Sequence, residues 1–427
     1  MNKHQQPNAS SSLTTWLKFI QNRYPPQITL GLDRIRKVAK KLHLLQPAPI
    51  IFTVGGTNGK GTTCRAMEMI LLAAGYRTGV YTSPHLLRYT ERIRIKGHEL
   101  EDEAYTLAFS VIEESCNNLS ISWFEFTTLV ALYLFSQFTL DVVILEVGLG
   151  GRIDATNIID SDISVITSIG LDHTTLLGTD IVSIGREKSG IFRAHKPAII
   201  GELNNSINIL TKEAYKSKAI LSIVNYHWIY IQNTDKWSFY DEKDCIIDMP
   251  VPKIPVENTA TAIAALRCSS LDISKKIIIS SLPTISLPGR FQIIDLKPQV
   301  ILDVAHNPQA AHRLAKQLEL YYPSTITGRK KHAVIAILCD KDIEGIIKNL
   351  VNQIDYWYCA STPGFRGTSA VKLSKYLPKA KIFNRISKAW SYAMHQADKN
   401  DIVLACGSFY TVAQVITCLN KKYGSIL

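Results

Sequence analysis

No Cys-x-x-Cys pair occurs among the cysteines, which stand at 64, 116, 245, 268, 339, 359, 406 and 418. Thiols scattered this way along a long chain read as reduced core residues, which points to a cytoplasmic protein and argues against a zinc knuckle or a disulfide scaffold. No apolar run approaches the roughly 18 residues that span a bilayer. Met1–Ser12 lacks the apolar centre of a signal peptide and reads as a frayed polar lead-in. Internal repeats, low-complexity tracts and an Asn-Lys-x-Asp base-reading run are all missing. Acidic residues are outnumbered, 36 to 48, but the basic ones are spread along the chain, so the formal charge of +12 describes a solvated basic surface. Neither a nucleic acid nor a membrane is expected as a partner.

What is present is ample core. With 46% hydrophobic residues in 427, two or three domains are expected at about 100–200 residues each. Apolar, β-branched runs alternate with helical patterns, the signature of a parallel sheet with crossover helices. Strands are expected at Ile50–Val54, Thr78–Tyr81, Val142–Val147 and Ile163–Ile169, and helices at Thr62–Ala74, Glu101–Cys116 and Phe126–Phe138. Between Ile223 and Ile247 aromatic residues alternate around a turn, which suggests a small antiparallel patch attached to the larger sheet. The proline-bearing stretch Leu282–Gly289 marks a boundary. Beyond it strands are expected at Val300–Val304, Ala333–Leu338, Tyr356–Ala360 and Ile402–Ala405, with helices such as Pro308–Leu320 and Asp342–Val351. The expected fold class is α/β. A P-loop-containing parallel-sheet ATPase domain with a small antiparallel patch (residues 1–285) precedes a smaller Rossmann-like domain (residues 286–427).

The first strand runs into Gly55-Gly56-Thr57-Asn58-Gly59-Lys60-Gly61-Thr62-Thr63 and then a helix. Strand, glycine-rich loop and helix start cradle phosphates: backbone N–H groups turn inward, the helix dipole favours an anion and a lysine reaches the outer phosphates. The match to the common pattern is imperfect, because Gly61 intervenes between Lys60 and the first hydroxyl.

In an open parallel sheet the ligand lies outside the carboxyl ends of the strands. Thr82-Ser83-Pro84-His85 leaves the second strand, Glu146 ends the third ahead of Gly148-Leu149-Gly150-Gly151-Arg152, and the fourth ends in Gly170-Leu171-Asp172-His173. A hydroxyl, a carboxylate and an imidazole are thereby expected to converge as Mg²⁺ partners beside a nucleotide. Ser83 before Pro84 also suits a plain turn, and His173 a plain loop. A carboxylate in an apolar strand is harder to explain without a partner.

Taken together the motifs resemble the folylpolyglutamate synthase/dihydrofolate synthase family of Mur-ligase-like, ATP-dependent amide-forming enzymes, from about Leu30 to Tyr410. The resemblance rests on Gly56-Thr57-Asn58-Gly59-Lys60-Gly61, Thr82-Ser83-Pro84-His85-Leu86, Glu91-Arg92-Ile93, Leu145–Arg152, Leu171-Asp172-His173-Thr174 and Glu187-Lys188-Ser189-Gly190-Ile191-Phe192. In the smaller domain it rests on Pro288-Gly289-Arg290-Phe291-Gln292, Asp303-Val304-Ala305-His306-Asn307-Pro308 and Gly407-Ser408-Phe409-Tyr410. The Gly61 insertion is what this family shows.

The resemblance implies that Gly56, Thr57, Asn58, Gly59, Lys60, Gly61 and Thr62 bind ATP, with Asn258, and with Arg290 and Asp303 approaching from the smaller domain as the domains close. It implies Ser83 and Glu146 on one Mg²⁺, Glu146 and His173 on a second, K⁺ as a further candidate ion, and a carbamate on Lys188. His306 would orient the phosphate or the incoming glutamate. Gly31 and Leu32, in an amino-terminal segment that closes over the pterin, join Thr82, Phe124, Glu125, Arg152 and Asp154 as candidates for the dihydropteroate pocket. Phe124 also suits the core, and Asp154 a turn cap. Asn258 lacks the family's longer histidine-containing lead-in, and Ser189 replaces a frequent alanine.

The implied reaction is attack of a dihydropteroate or folate carboxylate on the γ-phosphate of ATP, then of L-glutamate's amino group on the acyl phosphate. Charge neutralisation by Lys60, Arg290 and Mg²⁺ and exclusion of water would do most of the work. The protein is expected to act as a monomer on small molecules. A Mur-type cell-wall amino-acid ligase and a nucleotide-dependent switch are the alternatives; the pterin-side segments and the missing base-reading run weigh against them.

Overall fold

Strands buried on both faces read as unbroken apolar runs, because helices cover each side of a parallel sheet. That is how β1 (Ile50–Gly55), β5 (Val142–Glu146) and β6 (Ile163–Ile166) are built, the last two buried at every position. The computed structural model describes residues 6–24, 31–117, 119–203, 205–323, 328–377 and 379–424. The chain divides into two compact units, Met1–Ile169 with Leu177–Ile285, and Gly170–Leu176 with Ser286–Leu427.

In the first unit the strands add β2 (Thr78–Tyr81), β3 (Ile93–Ile95), β4 (His98–Glu99), β7 (Pro197–Ile200) and β8 (Ile220–Ile223). The sheet order is β4-β3-β2-β5-β1-β6-β7-β8. β1 lies centrally, parallel to β5 and β6, so the loop after Gly55 and the residue after Glu146 leave the same edge. β2 to β3 and β3 to β4 are antiparallel. The aromatic stretch forms its own three-stranded antiparallel sheet, β9 (Trp228–Gln232), β10 (Lys236–Asp241) and β11 (Cys245–Pro250), around buried Trp228, Trp237 and Phe239. It is separate from the larger sheet rather than part of it; a single bridge between Val224 and Trp228 precedes it.

The second unit holds β12 (Gln292–Ile294), β13 (Gln299–Leu302), β14 (Lys331–Ile335), β15 (Tyr356–Ala360), β16 (Lys381–Phe383) and β17 (Ile402–Cys406). Their order is β12-β13-β17-β14-β15-β16, parallel except for β12.

Two expectations need correction. The described part of the amino-terminal lead-in is tied down: Trp16 Nε1 donates to the Asn8 carbonyl at 2.9 Å, Thr106 Oγ1 to that of Ala9 at 2.9 Å, and Ser12 caps the helix Leu13–Arg23. The cause is the fully buried Trp16, whose indole N–H needs an acceptor. The strand expected over Ile163–Ile169 stops at Ile166, because the next residues turn their polar groups to the phosphate loop.

Glu68 ties helix Lys60–Ala73 to β3. Its carboxylate, with no exposed side-chain area, takes Arg94 Nη2 at 2.8 Å and Arg65 Nη1 at 2.9 Å. Burial pushes this carboxyl up, but the two guanidiniums outweigh it and hold it below the usual range. A carboxyl lowered on folding stabilises above its ordinary value and loses that contribution as pH falls through the folded-state value. Glu68→Gln, which leaves Arg94 buried and short of a charge, is expected to cost about 3 kcal/mol at pH 7. Urea unfolding from pH 7 to pH 3.5 should show a steeper loss for the wild type than for Glu68→Gln.

Candidate functional site

The phosphate loop is shaped from outside by the end of β6. Thr167 Oγ1 donates to the Asn58 carbonyl at 2.6 Å, Ser168 Oγ to the same carbonyl at 3.1 Å, and the Ser168 carbonyl accepts from Thr57 N at 2.8 Å. These bonds satisfy the outward groups of a loop whose inner N–H groups would face a ligand. Gly59, at φ +83°, precedes the helix Lys60–Ala73; a Cβ there would stand 2.2 Å from Asn258 Nδ2. Asn258, buried in the first turn of helix Val256–Arg267, thus lies directly against the loop.

Lys60 Nζ donates to the Gly56 carbonyl at 3.1 Å and that of Thr57 at 3.3 Å. Lys188 Nζ donates to the same Gly56 carbonyl at 2.8 Å. Lys188 is 5% exposed at the end of helix Ile181–Lys188, not on a helix surface. Two amines share one oxygen at the head of the loop.

Ser83 and Glu146 also meet, with Ser83 N donating to Glu146 Oε2 at 3.0 Å. A Cβ at Gly61 would lie 3.5 Å from that oxygen, so the buried carboxylate abuts the start of the loop helix. A carboxylate and a hydroxyl beside a phosphate cradle are the hard oxygen donors that a small divalent cation accepts while keeping phosphate and water ligands. The donor set therefore fits Mg²⁺. Among the described residues, no three His, Cys, Asp or Glu side chains gather as a metal cage.

The pterin candidates fall into groups. Phe124 stacks on Tyr81 with centroids 6.0 Å apart. Glu125 closes the capping box of helix Trp123–Ser136 with Ser122 and pairs with Arg34 Nη2 at 3.2 Å, and the same guanidinium donates to the Gly31 carbonyl at 3.5 Å. Leu32 caps helix Asp33–Lys41, so the amino-terminal segment does reach Glu125. Thr82 N donates to the Arg92 carbonyl at 2.8 Å. Asp154 accepts from Leu149 N at 2.9 Å and Thr156 N at 3.0 Å; burial outweighs these bonds and raises its carboxyl. It is a turn cap as well as a candidate. Arg152 reaches elsewhere, to Glu213 at 3.2 Å and the Arg186 carbonyl at 3.0 Å, with half its side chain exposed.

In the second unit, Asp303 follows β13 and accepts from Phe291 N and Ala305 N, each at 2.8 Å. Burial raises the carboxyl against the lowering effect of Arg290. Arg290 stacks over Phe409 at 4.8 Å, and His306 lies 6.0 Å from the same ring. The Gly407–Tyr410 motif thereby gains a role: Ser408 caps helix Phe409–Tyr423 and Phe409 is a platform.

His173, at φ +50°, belongs to this unit. Its neighbour Asp172 takes Lys341 Nζ at 2.5 Å, Asn307 Nδ2 at 3.2 Å and His306 Nε2 at 3.5 Å. Burial would raise the Asp172 carboxyl, but the hydrogen bond from His306 and the charge of Lys341 take it far below the usual range. Lys341, nearly buried, also stands 3.5 Å from His173 Nε2. Sequence reasoning missed Lys341. Its only signal was a Cys-Asp-Lys-Asp turn at the carboxyl end of a strand.

Residues 54–266 match the Mur ligase middle domain, and residues 289–409 the Mur ligase glutamate ligase domain. The chain is 48% identical over 416 residues to dihydrofolate synthase/folylpolyglutamate synthase of Escherichia coli, covering 97% of each. To the protein of that name from Haemophilus influenzae it is 44% identical, covering 96% of this chain and 98% of the other. The structure of Escherichia coli FolC in complex with DHPP and ADP superimposes with a TM-score of 0.94, covering 97% of this chain and 99% of that one at 48% identity. A bifunctional folylpolyglutamate synthase/dihydrofolate synthase from Yersinia pestis, complexed with AMPPNP and Mn, gives 0.93 over 97% and 100% at 48% identity.

A Cβ on Gly148 would fall 2.4 Å from Phe124 Cζ and 2.8 Å from the adjoining ring carbons. Gly148→Ala is expected to displace the ring from Tyr81 and to lower stability by about 1–3 kcal/mol. Thermal unfolding checks the second effect, and the near-ultraviolet dichroism of the aromatic residues the first.

Proposed function

Because the chain belongs to the dihydrofolate synthase/folylpolyglutamate synthase family of Mur ligases, it is an ATP-dependent ligase that adds L-glutamate to dihydropteroate and to folates, and we propose that the residues just described carry that reaction. The observation that carries the proposal is the meeting of Lys60, Lys188 and the Gly56 carbonyl beside the Ser83–Glu146 pair.

Gly56, Thr57, Asn58, Gly59, Gly61 and Thr62 hold the triphosphate by backbone and hydroxyl groups, and Asn258 supports the loop and the nucleotide. Lys60 swings from its loop carbonyls to the outer phosphates. Arg290 and Asp303 of the second unit serve the nucleotide, and His306 the incoming glutamate. Ser83 and Glu146 would hold one Mg²⁺, and Glu146 and His173 a second, with K⁺ as an accessory ion; the relative bound to AMPPNP and L-glutamate carries Mn. A divalent cation, when bound, neutralises phosphate charge. The substrate carboxylate attacks the γ-phosphate and releases ADP; glutamate's amine then attacks the acyl carbon, loses a proton and expels phosphate. Positioning by these residues supplies most of the acceleration.

The pterin is held by Thr82, Phe124, Glu125 and Asp154 with Gly31 and Leu32, the ring of Phe124 offering a stacking face. Arg152 borders the same wall two residues before Asp154, its side chain held by Glu213. The free state of all eight cysteines supports a cytoplasmic setting, where the chain acts as a monomer on dihydropteroate, folates, L-glutamate and ATP.

Lys188 is placed where a charge change helps. Two ammoniums on one carbonyl repel each other, at about 4 kcal/mol for unit charges 4 Å apart at an effective dielectric of 20. Addition of CO₂ to the neutral Lys188 amine, with loss of a proton, turns that repulsion into attraction. Lys188→Ala is expected to lower glutamate ligation by two orders of magnitude or more, with partial rescue by added small carboxylates. Lys60→Ala should abolish phosphate release while retaining the wild-type melting profile. Purified protein offered ATP, Mg²⁺, labelled glutamate and either dihydropteroate or tetrahydrofolate, with products resolved by mass, tests the whole reading. Full turnover in Lys188→Ala would remove the carbamate from it.

A further inference from the structure

The Glu91-Arg92-Ile93 motif plays no part in the reaction as described, yet it holds an expensive feature. Arg92 is 5% exposed and pairs with no carboxylate among the described residues. None of the remaining residues is acidic. Its neighbour Glu91 is committed elsewhere, taking Leu86 N, Leu87 N and Arg88 N at 2.6, 2.7 and 2.6 Å. Arg92 Nε donates to His85 Nδ1 at 2.8 Å, and among the described residues no hydrogen bond uses either terminal nitrogen, Nη1 being buried without a partner. The guanidinium lies 4.8 Å from the Trp123 ring centre and 5.8 Å from that of Tyr89. The Tyr89 hydroxyl is itself buried and unpartnered.

A buried cation without a counter-charge costs several kcal/mol, and two aromatic faces return only part of that. A terminal fork left unpaired, on a planar group already fixed by Nε and by stacking, matches a carboxylate held by two parallel hydrogen bonds. The location agrees with that chemistry. The Arg92 carbonyl accepts from Thr82 N, His85 is two residues from Ser83, and Trp123 adjoins Phe124. The cation therefore belongs to the wall assigned above to the pterin substrate.

We propose that Arg92, held by His85 and stacked on Trp123, is the binding residue for a carboxylate of the pterin substrate. This rests on the pterin reading of the wall. Dihydropteroate brings one carboxylate, on its benzoyl group, whereas a folate brings those of its glutamyl residue. Both present the same pair of anionic oxygens.

The test is equilibrium binding to the full chain with MgADP present. Dihydropteroate is compared with its uncharged carboxamide, and tetrahydrofolate with its glutamyl diamide, on wild type, Arg92→Met and Arg92→Lys. Wild type is expected to prefer acid over amide by about 10- to 100-fold in at least one pair, the range for a charge-assisted pair of hydrogen bonds. Arg92→Met should bring that ratio near one by weakening the acid alone, and Arg92→Lys should keep part of it. The pair that responds identifies which carboxylate is held. If Arg92→Met melts below the assay temperature, Arg92→Lys carries the test: its preference should fall while amide affinity holds. Equal weakening of acid and amide, or an unchanged preference, overturns the proposal and leaves Arg92 as a brace for the Thr82–His85 loop. Failure of wild type to bind any pterin overturns the pterin reading itself, and this proposal with it.

Discussion

The first unit depends on how the phosphate loop is held from behind. A glycine-rich turn that must aim its N–H groups inward cannot use them in its own structure, so its other polar groups need partners from outside. Thr167 and Ser168 supply these, bonding the Asn58 carbonyl and the Thr57 N–H. That is why β6 ends where it does. Asn258 closes the loop from the other side, against a glycine that leaves no room for a Cβ. The loop is thus preorganised by two separate segments.

Much of this was legible in the sequence. Buried parallel strands announce themselves as apolar runs, so β1, β2, β5 and β15 fall within a residue of expectation. The Thr167–Ser168 brace was not legible, because apolar periodicity says nothing about where a strand surrenders its hydrogen bonds to a neighbouring loop. The edge hairpin of β3 and β4 and the short β16 were missed because short edge strands carry too little pattern. At the site, local motifs identified the residues but not their company. Glu146 was suspect as a carboxylate in an apolar strand, and it does meet Ser83. Nothing in the order of residues showed that Asp172 would gather Lys341 and His306 from segments more than a hundred positions away.

The buried charges sort into two kinds. Glu68 with Arg94 and Arg65, and Asp172 with Lys341, are matched within the fold, and their carboxyls are held low for that reason. Arg92 has no carboxylate among the described residues, and Lys188 and Lys60 donate to one carbonyl. The matched pairs are stabilising only because each partner is present, since a lone member would be costly. Arg92 imposes that cost on the fold.

Asp303 shows that geometry, not charge alone, decides which kind a residue is. It has a cation near it in Arg290 and two backbone N–H donors, yet burial still raises its carboxyl. Arg290 also lies over the face of Phe409. Glu68, on the loop helix, has two guanidiniums in direct contact with its carboxylate, and there the charges outweigh burial and hold the carboxyl low.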